Sequence, residues 1–211
     1  LAVAIVGNPT KVYDGNTNAT LASVNFDLTG FVAGEGATVT QTSGVYAAKD
    51  VGSRVVTASL NSADFTANSG TLLSNYVLPT SATGMGAITR AMLTAAIIGD
   101  PTKTYDGTDA AMLASANYSL TGFVAGEGAS ITEIVGTYDS ANAGDRTVTA
   151  NLTASDFAAD GGTLLSNYSL PTVATGAGTI DQAILTAAIV GNPTKTYDGS
   201  TAATLSPVNY T

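Results

Sequence analysis

Lys11, Glu35 and Asn75 recur as Lys103, Glu127 and Asn167, each 92 residues further along the chain. A lysine amine that is stripped of water and uncharged can attack an asparagine carboxamide. Ammonia leaves, an amide cross-link remains, and a nearby carboxylic acid moves the protons. The chain holds only seven Lys and Arg, so few lysines compete for that role. Against it stands a plainer arrangement: a strand-edge lysine, a turn glutamate and an asparagine bonded to backbone. Desolvated lysine is rare, which favours the plainer arrangement. Loss of ammonia in the intact mass is the mark that separates the two.

A second set lies beside the lysines. Tyr13-Asp14-Gly15 returns as Tyr105-Asp106-Gly107 and Tyr197-Asp198-Gly199, each preceded by Lys11, Lys103 or Lys195. The tyrosines are candidates for stacking on a ligand, but one ring per unit beside a turn suits a packed side chain whose hydroxyl is tied to backbone. The aspartates, and Asp64 or Asp156 with Asn68 or Asp160, are candidates for calcium. Calcium takes six to eight oxygens from a dense acidic loop, and Asp156-Phe157-Ala158-Ala159-Asp160 is sparse. Turn-capping is the better expectation. No cofactor is expected within a unit, and a joint where carboxylates of two units meet is the one place left for calcium.

Catalysis finds little to work with. There is no His and no Cys, so only paired carboxylates or a Ser–Lys arrangement remain. Acids recur at few matched positions, namely 14/106, 35/127 and 64/156. Ala-Gly-Glu-Gly at 33–36 lacks the strand–loop–helix setting of a phosphate cradle. We expect no enzyme.

These residues are spaced by a repeat. Leu1 to Met92 aligns on Leu93 to Ile184 without a gap, with 53 of 92 positions identical, and a third copy opens at Leu185. A long period of this kind marks a tandem array, built to span distance or multiply a weak contact. We divide the chain at 1–90, 91–182 and 183–211, the last being the start of a further unit. Twenty-seven residues from Leu185 cannot bury a core alone, so we expect the cut edge of a longer array.

The elements that must carry the repeat read as strands. Phe26 to Phe31 alternates by side, Arg54 to Leu60 forms a second run, and Leu72 to Pro79 a third, each with its counterpart in the next copy. Glycine-rich turns such as Ala33-Gly34-Glu35-Gly36 separate them. The segment joining the copies, Gly86 to Ile98, contains Ala, Met and Leu, which favour helix. Its Thr and Ile residues and its strand-rich setting favour an extended path. The expected architecture is all-β: small sandwich-like modules joined in line by near-continuous strands.

Composition narrows the partners. Sixteen acids against seven bases give a net charge of −9, which repels nucleic acid and anionic membrane surfaces. The charge is uneven: residues 1–92 carry five acids and four bases, residues 93–184 ten acids and two bases. A feature that varies so between copies serves solubility rather than a site in every unit. No apolar run approaches the roughly 18 residues of a membrane span.

Pro9-Thr10-Lys11-Val12-Tyr13-Asp14-Gly15, with Gly30-Phe31-Val32 before the glutamate turn, Ser74-Asn75-Tyr76-Val77-Leu78, and Ile88-Thr89 followed by Ala91-Met92-Leu93-Thr94, resembles the YDG-type repeats. These are related to MBG repeats and belong to large bacterial surface and two-partner-secreted adhesins. The resemblance covers both full units and the partial third. The family often has Pro in the Ile-Thr-Pro-Ala joint, where this chain has Arg90 and Gln182. It implies secreted, cell-surface β modules without a known ligand for each. We therefore expect the structural region of an extracellular bacterial adhesin or filament, a semi-rigid spacer or matrix fibre. The alternative is a set of multivalent carbohydrate- or receptor-binding modules. Expected partners are neighbouring repeats of the same chain, then like chains in a filament or matrix, then surface glycans.

Overall fold

The computed structural model describes residues 1–211 and contains strands and short 3-10 turns, with no α-helix. The first unit holds nine strands: β1 Ala2–Ile5, β2 Thr10–Val12, β3 Asn18–Thr20, β4 Phe26–Thr29, β5 Ala37–Val39, β6 Ser43–Tyr46, β7 Gly52–Ser59, β8 Phe65–Ala67 and β9 Ser81–Thr89. Seven of them form one mixed sheet in the order β3-β6-β7-β9-β1-β4, with β2 also on β9. The remaining pair, β5 and β8, makes a separate two-stranded ribbon.

The longest strand organises the unit. β7 runs antiparallel to β9 over eight residue pairs, from Gly52↔Ile88 to Ser59↔Ser81. The other flank of β9 is shared by β1, parallel at Ala4↔Thr83, and β2, parallel from Thr10↔Ala87 to Val12↔Thr89. Between β1 and β2 the chain turns through Gly7 and Asn8, both at positive φ. That turn brings Ile5 and Pro9 hard against β9. A Cβ on Gly84 would sit 1.9 Å from the Ile5 carbonyl oxygen, and one on Gly86 would sit 2.6 Å from that of Pro9. Only glycine permits so close an approach, and Gly176 and Gly178 repeat the arrangement.

The core lies between the sheet and the ribbon. Ile5, Tyr46, Val56, Ala58 and Ile88 come from the sheet, Val39 and Phe65 from the ribbon, and all are buried. Alternation along β7 puts Val56 and Ala58 inside and Val55 and Thr57 outside. Each such apolar side chain contributes roughly 1.5–3 kcal/mol on burial. Deep in this core the Tyr46 hydroxyl donates to the Pro9 carbonyl at 2.9 Å.

The second unit repeats this plan. Its strands are β11 Thr94–Ile97, β12 Thr102–Thr104, β13 Ala110–Met112, β14 Tyr118–Thr121, β15 Ala129–Ile131, β16 Val135–Tyr138, β17 Gly144–Asn151, β18 Phe157–Ala159 and β20 Val173–Asp181. Two further strands, β10 Ala91–Met92 and β19 Tyr168–Ser169, pair in parallel with each other alone. The path from β9 through β10 to β11 is thus interrupted only at Arg90 and Leu93.

Two of the expected strands are present: Phe26–Thr29, which stops at Gly30 with its positive φ, and Gly52–Ser59. The third is corrected. Leu72 to Pro79 forms a 3-10 turn, Leu73–Asn75, with no strand after it. Its counterpart makes the same turn and then only the two residues of β19. A strand needs a ladder partner, and β19 has one in β10, whereas Tyr76–Val77 has no strand beside it. The partial third unit is exposed from residue 183 to 204. It keeps one bridge, Ile189↔Tyr210, in the register of Ile97↔Tyr118.

Candidate functional site

The repeated lysine and aspartate build a braced turn. β2 ends at Val12, and Lys11 folds its amine back over the turn that follows. It donates to Asp14 Oδ1 at 2.6 Å, to the Asn16 carbonyl at 2.8 Å and to Asn16 Oδ1 at 2.9 Å. Lys103 does the same to Asp106 and Thr108, and Lys195 to Asp198 and Ser200. Asp106 in turn accepts from the Thr108 backbone N–H at 2.9 Å, so the aspartate caps its own turn. The Lys103 ammonium and the Thr108 donors pull the Asp106 carboxyl down to about 2. Asp14 is also lowered: partial burial opposes the shift, and Lys11 and Asn16 outweigh it.

The braced turn presents a tyrosine, and the three tyrosines meet different fates. Tyr13 is 3% exposed, Tyr105 44% and Tyr197 92%. Tyr13 is buried because it leaves its own unit. Its hydroxyl donates to Glu127 Oε1 at 2.6 Å, and the Tyr168 hydroxyl donates to Glu127 Oε2 at 2.6 Å. The Tyr168 oxygen also accepts from the Val124 N–H at 3.2 Å. The two rings stand edge to face with centroids 5.4 Å apart, and Phe123 stands edge to face with Tyr168 at 4.8 Å. The expected backbone partner of the Tyr13 hydroxyl is therefore replaced by a carboxylate of the following unit. Burial, then the Glu127 carboxylate, raises Tyr13 well above the usual phenol range; the same two causes raise Tyr168.

Around this plug the contact widens. Gly15, at positive φ, lies so close to the second unit that a Cβ would stand 2.8 Å from Val124 Cγ1. The loop after β6 sends Asp50 and Val51 across: Asn167 donates to Asp50 Oδ1 at 2.9 Å and accepts from the Val51 N–H at 3.0 Å. Arg54 holds that loop by donating to the carbonyls of Asp50 and Val51. Arg90 donates to the Ser166 carbonyl, and the Leu93 N–H to that of Ser169. Ala91, Leu93 and Tyr168 belong to the same buried cluster as the core of the first unit. The first core thus extends into the joint, where half-buried Leu120 and Leu170 pack against it and against the separate core of the second unit.

Lys11, Glu35 and Asn75 do not come together. Lys11 is committed to its own turn, Glu35 accepts from the Tyr76 hydroxyl, and Asn75 is exposed at the end of a 3-10 turn. Glu127 and Asn167 both reach the first unit at the joint, Glu127 at Tyr13 and Asn167 at Asp50 and Val51, while Lys103 stays with Asp106. Each lysine amine is turned to three oxygens of its own loop and away from any carboxamide carbon, so the attack has no geometry. The aspartates at 64 and 156 cap 3-10 turns through the N–H groups of Asn61 and Thr153. At the joint both Glu127 oxygens are taken by hydroxyl donors, and no cluster of three or more metal-ligating side chains forms in the chain.

A model of the YDG domain matches residues 1–84 and again 89–176. The chain belongs to the YDG domain family. Curated proteins and solved structures gave no match. In this YDG pair the tyrosine and glycine of the motif are the residues that enter the next domain, and its aspartate holds the lysine that steadies them.

The sequence alone did not single out Phe123, Val124, Tyr168 or Asp50, and it marked Arg90 only as a departure from the family's joint. A signal for the first three was present. Leu28 to Ala37 is identical to Leu120 to Ala129 at all ten positions, and Thr71 to Tyr76 to Thr163 to Tyr168 at all six. These two stretches form the wall that receives the plug.

Proposed function

We propose that this chain is the structural repeat region of a secreted bacterial surface protein, a non-catalytic spacer or matrix fibre made semi-rigid by its joints. The buried Tyr13–Glu127–Tyr168 contact carries the reading. A flexible array leaves aromatic rings and carboxylates of adjacent units in water; here a ring, a carboxylate and a short strand pair cross the boundary, and the first core takes in Ala91, Leu93 and Tyr168. Stability of such arrays is the sum of unit terms and nearest-neighbour terms, and this contact is a large neighbour term. The family resemblance supports the extracellular setting, and a chain without Cys suits a protein that stays unfolded during export. No helix is long and apolar enough to cross a membrane.

Backbone ¹⁵N relaxation of the two-unit chain tests it. Units 1–90 and 91–182 are expected to report one common tumbling time, and Tyr13→Ala to split it into two shorter ones. Separate tumbling in the unaltered chain would sink the spacer reading and favour independent, multivalent binding modules.

A further inference from the structure

One edge of each seven-stranded sheet is a three-residue strand, β3 in the first unit and β13 in the second. Each pairs on one side only, β3 with β6 and β13 with β16. Neighbours along the chain do not cover this edge. β3 is exposed at Asn18 and Thr20 with the following unit in place, and β13 at Ala110 and Met112 with the preceding unit in place.

The ladder bonds of β13 fall on alternate residues. The Tyr138 N–H donates to the Asp109 carbonyl and the Leu113 N–H to that of Ile134, so positions 109, 111 and 113 face β16. The N–H and C=O groups of Ala110 and Met112 point the other way, out of the sheet edge. In β3 the first outward donor is closed, because Asn16 Oδ1 accepts from the Asn18 N–H at 2.8 Å. Thr108 stands in the place of Asn16 and turns its hydroxyl to Asp106, which leaves the Ala110 N–H open. The flanking side chains differ in the same sense. Met112 is 75% exposed, and Val135, opposite it in the ladder, is 58% exposed. Their counterparts in the first unit are Thr20 and Ser43. No charge lies on Ala110-Ala111-Met112, the kind of edge that sheets otherwise guard with lysine, proline or a bulge.

We propose that β13 is the contact through which two copies of this chain pair side by side, antiparallel about a two-fold axis at Ala111. The occupant is a second copy because the edge completes itself. With Ala110 opposite Met112 of the other copy, each Ala110 N–H donates to a Met112 carbonyl and each Met112 N–H to an Ala110 carbonyl. On the outer face, Val135 and Met112 of one copy line up with Ala110 and Thr137 of the other. The flanking acids, Asp109 of each copy, end roughly 13 Å apart along the strands, beyond the screening length at physiological salt. The contact is isologous and closes as a dimer, so it ties arrays laterally and does not lengthen them. It supplies the chain-to-chain contact that the matrix-fibre reading calls for, and it is independent of the stiffness of the joint.

Residue-resolved hydrogen exchange of the full chain at rising protein concentration tests it. The Ala110 and Met112 amides should exchange readily in dilute protein and slow by roughly tenfold or more as dimers form, with sedimentation velocity giving the same midpoint. Copies of net charge −9 repel, so added salt should strengthen the pairing. Thr108→Asn rebuilds the Asn16 cap over the Ala110 N–H, and Met112→Pro removes the other outward donor without touching a ladder bond. Each should raise the dissociation constant roughly tenfold or more, with thermal melts confirming that the variants fold. Amides that exchange readily at every concentration overturn the proposal, as does a dimer insensitive to both substitutions. Unprotected amides in a chain that tumbles as one body would leave the spacer reading standing. Protected amides in a chain whose units tumble apart would support this contact and remove that reading.

Discussion

The second unit carries a filled socket and the first an open one, built from the same residues. In both, an aromatic pair stands edge to face and a tyrosine bonds a glutamate. The differences lie at the rim. Asn167 is buried and Asn75 exposed; Tyr168–Ser169 is a strand and Tyr76–Val77 is not. The interior of the socket is therefore set by its own unit, and docking adds burial, a second phenol on the carboxylate and a short ladder. A receptor shaped in advance loses little conformational freedom on binding, so most of the contact energy remains to stiffen the joint.

Parallel substitutions in the filled and open sites sharpen this contrast. The largest effect belongs to Tyr13→Ala, which empties a site 3% exposed. It should cost roughly 3–5 kcal/mol of joint stability, read by native-state hydrogen exchange at Tyr168 and Ser169. Tyr105→Ala in dilute protein should stay within about 0.5 kcal/mol; equal losses at the two positions would erase the distinction. Next comes Gly15→Ala. Both Gly15 and Gly107 sit at positive φ, so either alanine costs about 1–2 kcal/mol. Only at Gly15 does the methyl meet Val124, adding roughly 1–3 kcal/mol of overpacking, which denaturant melts of the two variants should resolve.

Glu127→Gln should weaken the joint by roughly 1–2 kcal/mol, because one phenol keeps only a neutral acceptor and the other meets an amide NH2, which donates. Glu35→Gln, with one phenol to lose, should do less in the same melts. The pH dependence follows from the phenols. Tyr13 and Tyr168 hold their protons more tightly in the joint than in water, where a phenol titrates near 10. Their contribution is thus fully present below pH 10 and is lost as pH rises above it. Tyr13→Phe should flatten that decline in a pH-dependent melt. Smallest is Asp50→Asn, which installs the residue found at 142 in the second unit. It should cost less than about 1 kcal/mol in the same assay.

The sequence disclosed the framework more fully than the contact. A gapless period, glycine turns and alternating runs at Phe26 and Arg54 identified an all-β tandem array. Leu72 to Pro79 misled because apolar residues beside Ser-Asn satisfy a strand pattern, while a ladder partner exists only where β10 arrives. Lys11, Glu35 and Asn75 repeat for three separate reasons: a brace, a carboxylate socket and a loop clasp. Periodicity shows that positions recur; it does not say which positions touch. Tyr13 and Glu127 are 114 residues apart, and no spacing rule couples them. The uninterrupted identity of the socket stretches was the one available pointer.

That separation also sets an order in time. The turn bearing Tyr13 precedes its receptor, so every unit is fastened by the one that follows it. A chain folding as it emerges, first residue first, completes its opening domain while that domain can still swivel. Only when Glu127 and Tyr168 have appeared does the swivel stop. The growing polymer hardens one period behind its newest residues, and each new domain swivels until its own receptor has appeared.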